Sequence, residues 1–182
     1  MALTSTIYTL AVDLSDVDRG VYETLELRAA MHPSESPEYF VTRVLAYCLE
    51  YTEGIEFSAG GVSSPDEPAV LVRDLTGRIT AWIEIGSPDA DRLHRASKLA
   101  ARVAVYTHRE LRNLLPQWRE ARIHRAAEIP IFTFGRGFID QVAAKLQRRM
   151  RLSVSVTERH LYLDVDGQSL ETVIEEHRIA GD

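Results

Sequence analysis

Three acidic side chains, Asp66, Glu67 and Glu84, have the types and the spacing to share one divalent cation. They lie within DEPAVLVRDLTGRITAWIEIGSPD, residues 66–89. Asp66 and Glu67 stand just before the apolar run PAVLV, and Glu84 stands near the end of the run RITAWIEI. Between the runs, Asp74-Leu75-Thr76-Gly77 is a tight-turn signal, so the segment predicts a β-hairpin. Acids at the start of a hairpin and on its second strand can converge. Their hard oxygens suit Mg²⁺ or Mn²⁺. A metal held there would polarise a phosphate and activate water, which is phosphodiester chemistry. Glu84 lies between Ile83 and Ile85, where an unpaired carboxylate is costly if it faces inward. Facing outward it would simply be solvated. Asp74 is a weaker candidate, because it occupies the ordinary place of a turn aspartate.

The elements around the hairpin must position these acids. Residues 5–14 and 21–30 alternate as strands and predict an N-terminal hairpin. Ser36-Pro37 with Glu38 starts a helix that runs to about Glu53, ahead of Gly54. Ile55-Glu56-Phe57 reads as a short strand, and residues 59–65 as a flexible loop delivering the chain to Asp66. After the hairpin, Ser87-Pro88-Asp89 caps a helix running to about Arg102, with Leu93, Ala96 and Ala100 as its apolar stripe. Further elements are a strand at RVAVYTH, a helix from Arg109 toward Arg125, a strand at residues 129–134 and a helix from Phe138 to Arg149. The strands LSVSVT and LYLDV close the sheet before a polar C-terminal segment. Strand–helix alternation over 80–150 argues for an α/β layered domain with a mixed sheet and a right-handed crossover.

Composition sets the outer bounds. A chain of 182 residues with 45% hydrophobic content can bury a normal core and is most simply one domain. No apolar run reaches membrane-spanning length, and the opening residues read as a strand rather than a signal peptide. One cysteine, Cys48, excludes an intrachain disulfide framework and a cysteine-based zinc site. Its place on an apolar helix face predicts a buried, inert thiol. The expectation is a cytoplasmic protein with no membrane partner. The net charge of −6 hides a segregation: residues 89–151 hold 14 Lys/Arg against 6 Asp/Glu, and the rest holds 7 against 21. Such an imbalance suits a surface facing a polyanion, although solvated helix faces would produce it too.

Other residues carry weaker signals. Glu35 and Glu38 open the first helix, where dipole stabilisation is sufficient reason for them. Asp89 reads as a helix N-terminal residue rather than a metal ligand. Gly135-Arg136-Gly137 precedes a helix but lacks the glycine spacing and lysine of a phosphate loop. His94, His108 and His124 show no zinc-like pairing, and His32 is a lone histidine.

The combination HPSES(P)E, DEP, DLTGR and WIEIGSPD, with a helix ending before VAVYTH, resembles the YaeQ family of small bacterial proteins. The resemblance spans essentially the whole chain, 1–182. It implies a restriction-endonuclease-like (PD-(D/E)XK) fold: a mixed central sheet flanked by helices, here with an extra N-terminal β-hairpin. Carried over, the PD-(D/E)XK superfamily pattern makes Asp66 or Glu67 the first acid and Glu84 the second, with Mg²⁺ or Mn²⁺ between them. Glu35 and Glu38 become accessory acids. The lysine expected two residues after the second acid is absent, and Gly86 stands in its place. Arg92, Arg95, Lys98 and Arg102 on the next helix are the candidate substitutes. At about 100° per residue, Arg95, Lys98 and Arg102 oppose the Leu93/Ala96/Ala100 face, while Arg92 lies at its boundary and could curl back.

Two functional expectations follow. One is a Mg²⁺-dependent, nuclease-like phosphodiesterase acting on nucleic acid, with residues 89–151 facing the backbone. The other is a catalytically degenerate nuclease fold that binds nucleic acid or protein, a reading that Gly86 favours.

Overall fold

The computed structural model describes residues 4–59, 64 and 66–180. Much of the loop expected at 59–65, namely 60–63 and 65, therefore lies outside the described residues. The chain divides into two compact units, Met1–Tyr51 with Phe134–Glu175 and Thr52–Thr133 with Glu176–Asp182. Each has its own mixed sheet flanked by helices.

In the first unit, β1 (Thr6–Asp16) and β2 (Val21–Met31) form the expected antiparallel hairpin. Helix α1 (Pro37–Leu49) follows, and Ser36 Oγ accepts the Tyr39 amide at 3.1 Å as its cap. It stops four residues before the expected end. The HPSES turn ahead of it is locally tied, with the Ser34 amide donating to His32 Nδ1 at 3.1 Å. Helix α4 (Phe138–Ala143) is half the expected length, and strand β8 (Arg149–Thr157) begins where the helix was expected to end. Gly135 of the glycine pair before α4 donates its amide to Thr172 Oγ1 at 2.7 Å. Helices α1 and α4 pack on one sheet face, where Phe40, Val44, Val142 and Met150 surround a small apolar void with Leu10 and Leu163. Cys48 is fully buried, and that burial pushes its thiol up to about 12.

The strands LSVSVT and LYLDV were expected at the edge of the sheet that carries the acids. Instead β8 pairs in parallel with β1 and antiparallel with β9 (His160–Val165). The polar tail contains two more strands, β10 (Gln168–Val173) and β11 (Glu175–Arg178). The first sheet is thus ordered β10-β9-β8-β1-β2. Its strands bury one face only, with Leu10, Val12 and Leu14 inward and Thr9, Asp13 and Ser15 outward.

The second unit holds the acid-bearing hairpin. Strands β3 (Ile55–Phe57), β4 (Val70–Arg73) and β5 (Ile79–Ile85) run antiparallel, and β6 (Arg102–Tyr106) and β7 (Pro130–Thr133) continue in parallel. The order is β11-β7-β6-β5-β4-β3. Helix α2 (Ala90–Leu99) connects β5 to β6, and α3 (Leu111–Glu120) leads to β7 through a 3-10 turn at Ala126–Glu128. Leu93, Ala96 and Trp118 from these helices pack on Trp82, Val103, Val105 and Ile131. Among the described residues no helix is long and apolar enough to cross a membrane.

The start of β3 fixes the hairpin's edge through Gly54. Its φ is +86°, and a Cβ built there would lie 2.2 Å from the Arg73 carbonyl oxygen. The Arg73 amide also donates to the Gly54 carbonyl at 3.0 Å. Gly54→Ala therefore meets both backbone strain and a backbone clash. We expect it to lower unfolding free energy by about 2 kcal/mol or more, measured by urea denaturation. An unchanged midpoint would contradict this packing.

Candidate functional site

Alternation along β5 aims Trp82 and Glu84 toward α2, and Glu84 lies opposite Val105 of β6. The solvated alternative for Glu84 is therefore overturned, since the residue is only 4% exposed. A carboxylate in that position needs donors, and two converge on one oxygen. Trp82 Nε1 donates to Glu84 Oε1 at 2.6 Å, and Arg92 Nε donates to the same oxygen at 2.5 Å. The Arg92 guanidinium also lies 5.8 Å from the Trp82 ring centre, within cation–π range.

Arg92 reaches further. Its two terminal nitrogens donate to the carbonyls of Ser64 at 2.9 Å and Glu67 at 2.8 Å. One planar cation thus joins the strand acid to the backbone that carries Asp66 and Glu67. The geometry follows from the start of α2. Asp89 caps the helix by accepting the Arg92 amide at 2.7 Å, so Arg92 sits in the first turn beside the end of β5. Trp118 holds that turn from α3, its Nε1 donating to the Pro88 carbonyl at 2.9 Å. Arg95 and Lys98 are exposed on α2, and Arg102 is exposed at the start of β6.

Glu67 is also engaged. Its Oε1 accepts from Arg73 at 2.7 Å and its Oε2 from the Ser58 hydroxyl at 3.0 Å. Arg73 bridges on to Glu56 at 2.8 Å, so β3, β4 and the acid loop share a second, more exposed ion-pair cluster. Asp66 is exposed. Asp74 is a turn residue, its Oδ1 accepting the Thr76 and Arg78 amides at 2.8 and 3.1 Å. The Thr76 hydroxyl bond in particular holds its carboxyl below the ordinary value.

Gly86 has φ +80° and donates its amide to the Tyr106 carbonyl at 2.8 Å. A lysine there would adopt the left-handed conformation, at a cost of about 1–2 kcal/mol. The backbone that turns β5 into α2 therefore favours glycine over lysine at this position.

Glu35 and Glu38 belong to the other unit. Glu35 is buried against Arg43, whose guanidinium donates to it at 3.0 Å and to the Ala30 carbonyl at 2.7 Å. Burial raises the Glu35 carboxyl above the ordinary range, with Arg43 pulling it back. Glu38 sits in the first turn of α1, where its carbonyl accepts the Thr42 hydroxyl at 2.7 Å.

The donor set does not fit a divalent cation as arranged. The Glu84 carboxylate is bonded to Arg92 and Trp82, and Glu67 to Arg73 and Ser58. Among the described residues no three His, Cys, Asp or Glu side chains are grouped to hold a metal. Sequence reasoning reaches Glu84 and Arg92 but misses Trp82, the second donor to Glu84, and Arg73, the partner of Glu67. The W-x-E spacing was the available signal for Trp82, because residues two apart on a strand share a face.

Burial raises the Glu84 carboxyl above its ordinary value, while the Arg92 charge and the Trp82 N–H oppose that shift. A raised folded-state value means the folded protein holds the proton more tightly than the unfolded chain. Stability from this group is therefore full in acid and declines as pH rises through the raised value. We expect the stability advantage of the natural protein over Glu84→Gln to shrink between mild acid and neutrality. Arg92→Ala leaves a buried carboxylate without its cation and should cost about 3 kcal/mol at neutral pH. Denaturant titrations at several pH values check both. A pH-independent difference, or an Arg92→Ala cost below about 1 kcal/mol, would contradict the arrangement.

Comparisons with known proteins cover nearly the whole chain. The family model described as YaeQ protein matches residues 1–174. The YaeQ protein of Escherichia coli (strain K12) is 30% identical over 172 residues, covering 94% of each chain, and that of Salmonella typhi is 29% identical over the same share. The crystal structure of YaeQ protein from Pseudomonas syringae is similar with a TM-score of 0.88 at 31% identity, covering 98% of this chain and 97% of that one. The YaeQ structure from Xanthomonas axonopodis pv. citri gives 0.81 at 26% identity, covering 95% and 98%. The chain belongs to the YaeQ family.

Proposed function

We propose that this protein is a catalytically silent, cytoplasmic member of the restriction-endonuclease-like fold that binds a nucleic-acid backbone without cleaving it. The observation that carries the reading is the Arg92 guanidinium, bonded at once to Glu84 and to the Ser64 and Glu67 carbonyls. It supplies the positive charge that Mg²⁺ or Mn²⁺ would bring between the hairpin acids. Gly86 supports the same reading, because its backbone conformation disfavours the lysine that would activate water.

Binding rests on exposed cations of the second unit, Arg95, Lys98, Arg109, Arg112 and Arg122. They would meet phosphates through counterion release, which makes affinity fall with salt. Those basic residues of 89–151 that lie from Arg136 onward belong to the first unit, so the proposed contact surface is confined to residues 95–122. A metal-dependent nuclease using Asp66, Glu67 and Glu84 is the competing reading.

The test pairs binding with cleavage on labelled single- and double-stranded oligonucleotides. The proposal expects salt-dependent anisotropy changes, weakened by Arg95→Ala with Lys98→Ala, and intact substrate after incubation with Mg²⁺ or Mn²⁺. Metal-dependent cleavage abolished by Glu84→Ala would replace it with the nuclease. The absence of binding at low salt would remove the nucleic-acid ligand.

A further inference from the structure

Strand β2 ends the first sheet, and among the described residues no strand lies on its far side. It is 11 residues long, and an edge of that length presents a ladder of unpaired backbone groups. The pairing of β1 tells which groups those are. Thr9 donates its amide to Arg148 and Val17 donates to Val156, so the odd-numbered residues of β1 turn their backbone toward β8. Leu10, Val12 and Leu14 therefore turn theirs toward β2, where they face Leu27, Leu25 and Glu23. By the same alternation Thr24, Glu26, Arg28 and Ala30 direct their N–H and C=O groups outward. The Ala30 carbonyl confirms this phase, since it accepts from Arg43 rather than from β1.

The side chains on this edge are self-complementary. Glu26 and Arg28 are two residues apart and exposed on the same sheet face. In a two-fold antiparallel pairing centred on Leu27, the outward backbone groups of Glu26 meet those of the partner's Arg28, and the reverse. Opposite charges then stand directly across from each other twice. Leu27 meets the partner's Leu27 on the buried face, where it is 7% exposed in the single chain. The backbone phase allows registers that differ by two residues in pairing sum. Shifting one way opposes Glu26 to itself, and shifting the other way opposes Arg28 to itself, both repulsive. An edge built to repel would carry one sign of charge or proline. Here the sequence VYETLELRAAM has neither, apart from this balanced pair and Glu23.

We propose that β2 pairs with β2 of a second copy of this chain, antiparallel across a two-fold axis at Leu27, and joins two five-stranded sheets into one. The occupied Ala30 carbonyl limits the ladder at each end, so the contact is short and depends on its charge pairs. This edge belongs to the first unit and the Arg92 site to the second, and the inference does not rest on the nucleic-acid reading.

The experiment is sedimentation equilibrium of the full chain across micromolar concentrations, with Glu26→Arg and Arg28→Glu. Both positions are exposed, and circular dichroism verifies that the variants fold. The natural protein should dimerise, and each single reversal should raise the dimer Kd by on the order of tenfold or more. Mixing the two variants should restore dimers, because each then meets its complement, and the E26R/R28E double exchange should do the same. A monomeric natural protein, dimerisation unmoved by either reversal, or a mixture that stays monomeric would overturn the proposal.

Discussion

One guanidinium organises the acid-bearing unit. Glu84 is buried on β5 between Ile83 and Ile85, and a lone carboxylate there would cost several kcal/mol. Arg92 offsets that cost from the first turn of α2, and its remaining donors hold the Ser64 and Glu67 carbonyls. Three elements that are separate in sequence therefore meet at one cation. Removing it would leave both a buried charge and unpaired loop carbonyls. The rest of the unit serves this contact: Asp89 fixes the helix start, Trp118 holds the Pro88 turn, and Gly86 permits the left-handed step between β5 and α2.

That arrangement turns a pattern associated with metal chemistry into an internal structural brace. Arginine suits the role better than lysine would, because its planar fork satisfies a carboxylate and two carbonyls at once. The second cluster, Arg73 with Glu56 and Glu67, repeats the device nearer to solvent, where screening makes it worth less. Glu84 and Glu67 are thus each held by an arginine.

Much of this was legible in the sequence, and what was not has physical reasons. The hairpin around Asp74-Leu75-Thr76-Gly77, the capped starts of α1 and α2, and the boundary position of Arg92 all follow from local rules. Whether Glu84 pointed inward did not, because alternation assigns two faces without saying which is covered. Strands β10 and β11 were hidden because their outward residues are polar and their inward ones few. That β8 and β9 join β1 in a sheet of their own was hidden for another reason. The pairing of β1 with β8 joins residues about 140 apart in sequence, and no local signal reports a partner at that distance. The same pairing places Arg149 in the sheet, where the local pattern had extended a helix.

The central claim is that Arg92, not a metal ion, neutralises Glu84. Titration calorimetry with Mn²⁺ tests it most directly, comparing the natural protein with Glu84→Ala. The account predicts no Glu84-dependent binding in the micromolar range, because the carboxylate is already committed to Arg92 and Trp82. Micromolar binding that disappears in Glu84→Ala would contradict it and make the hairpin acids a metal site.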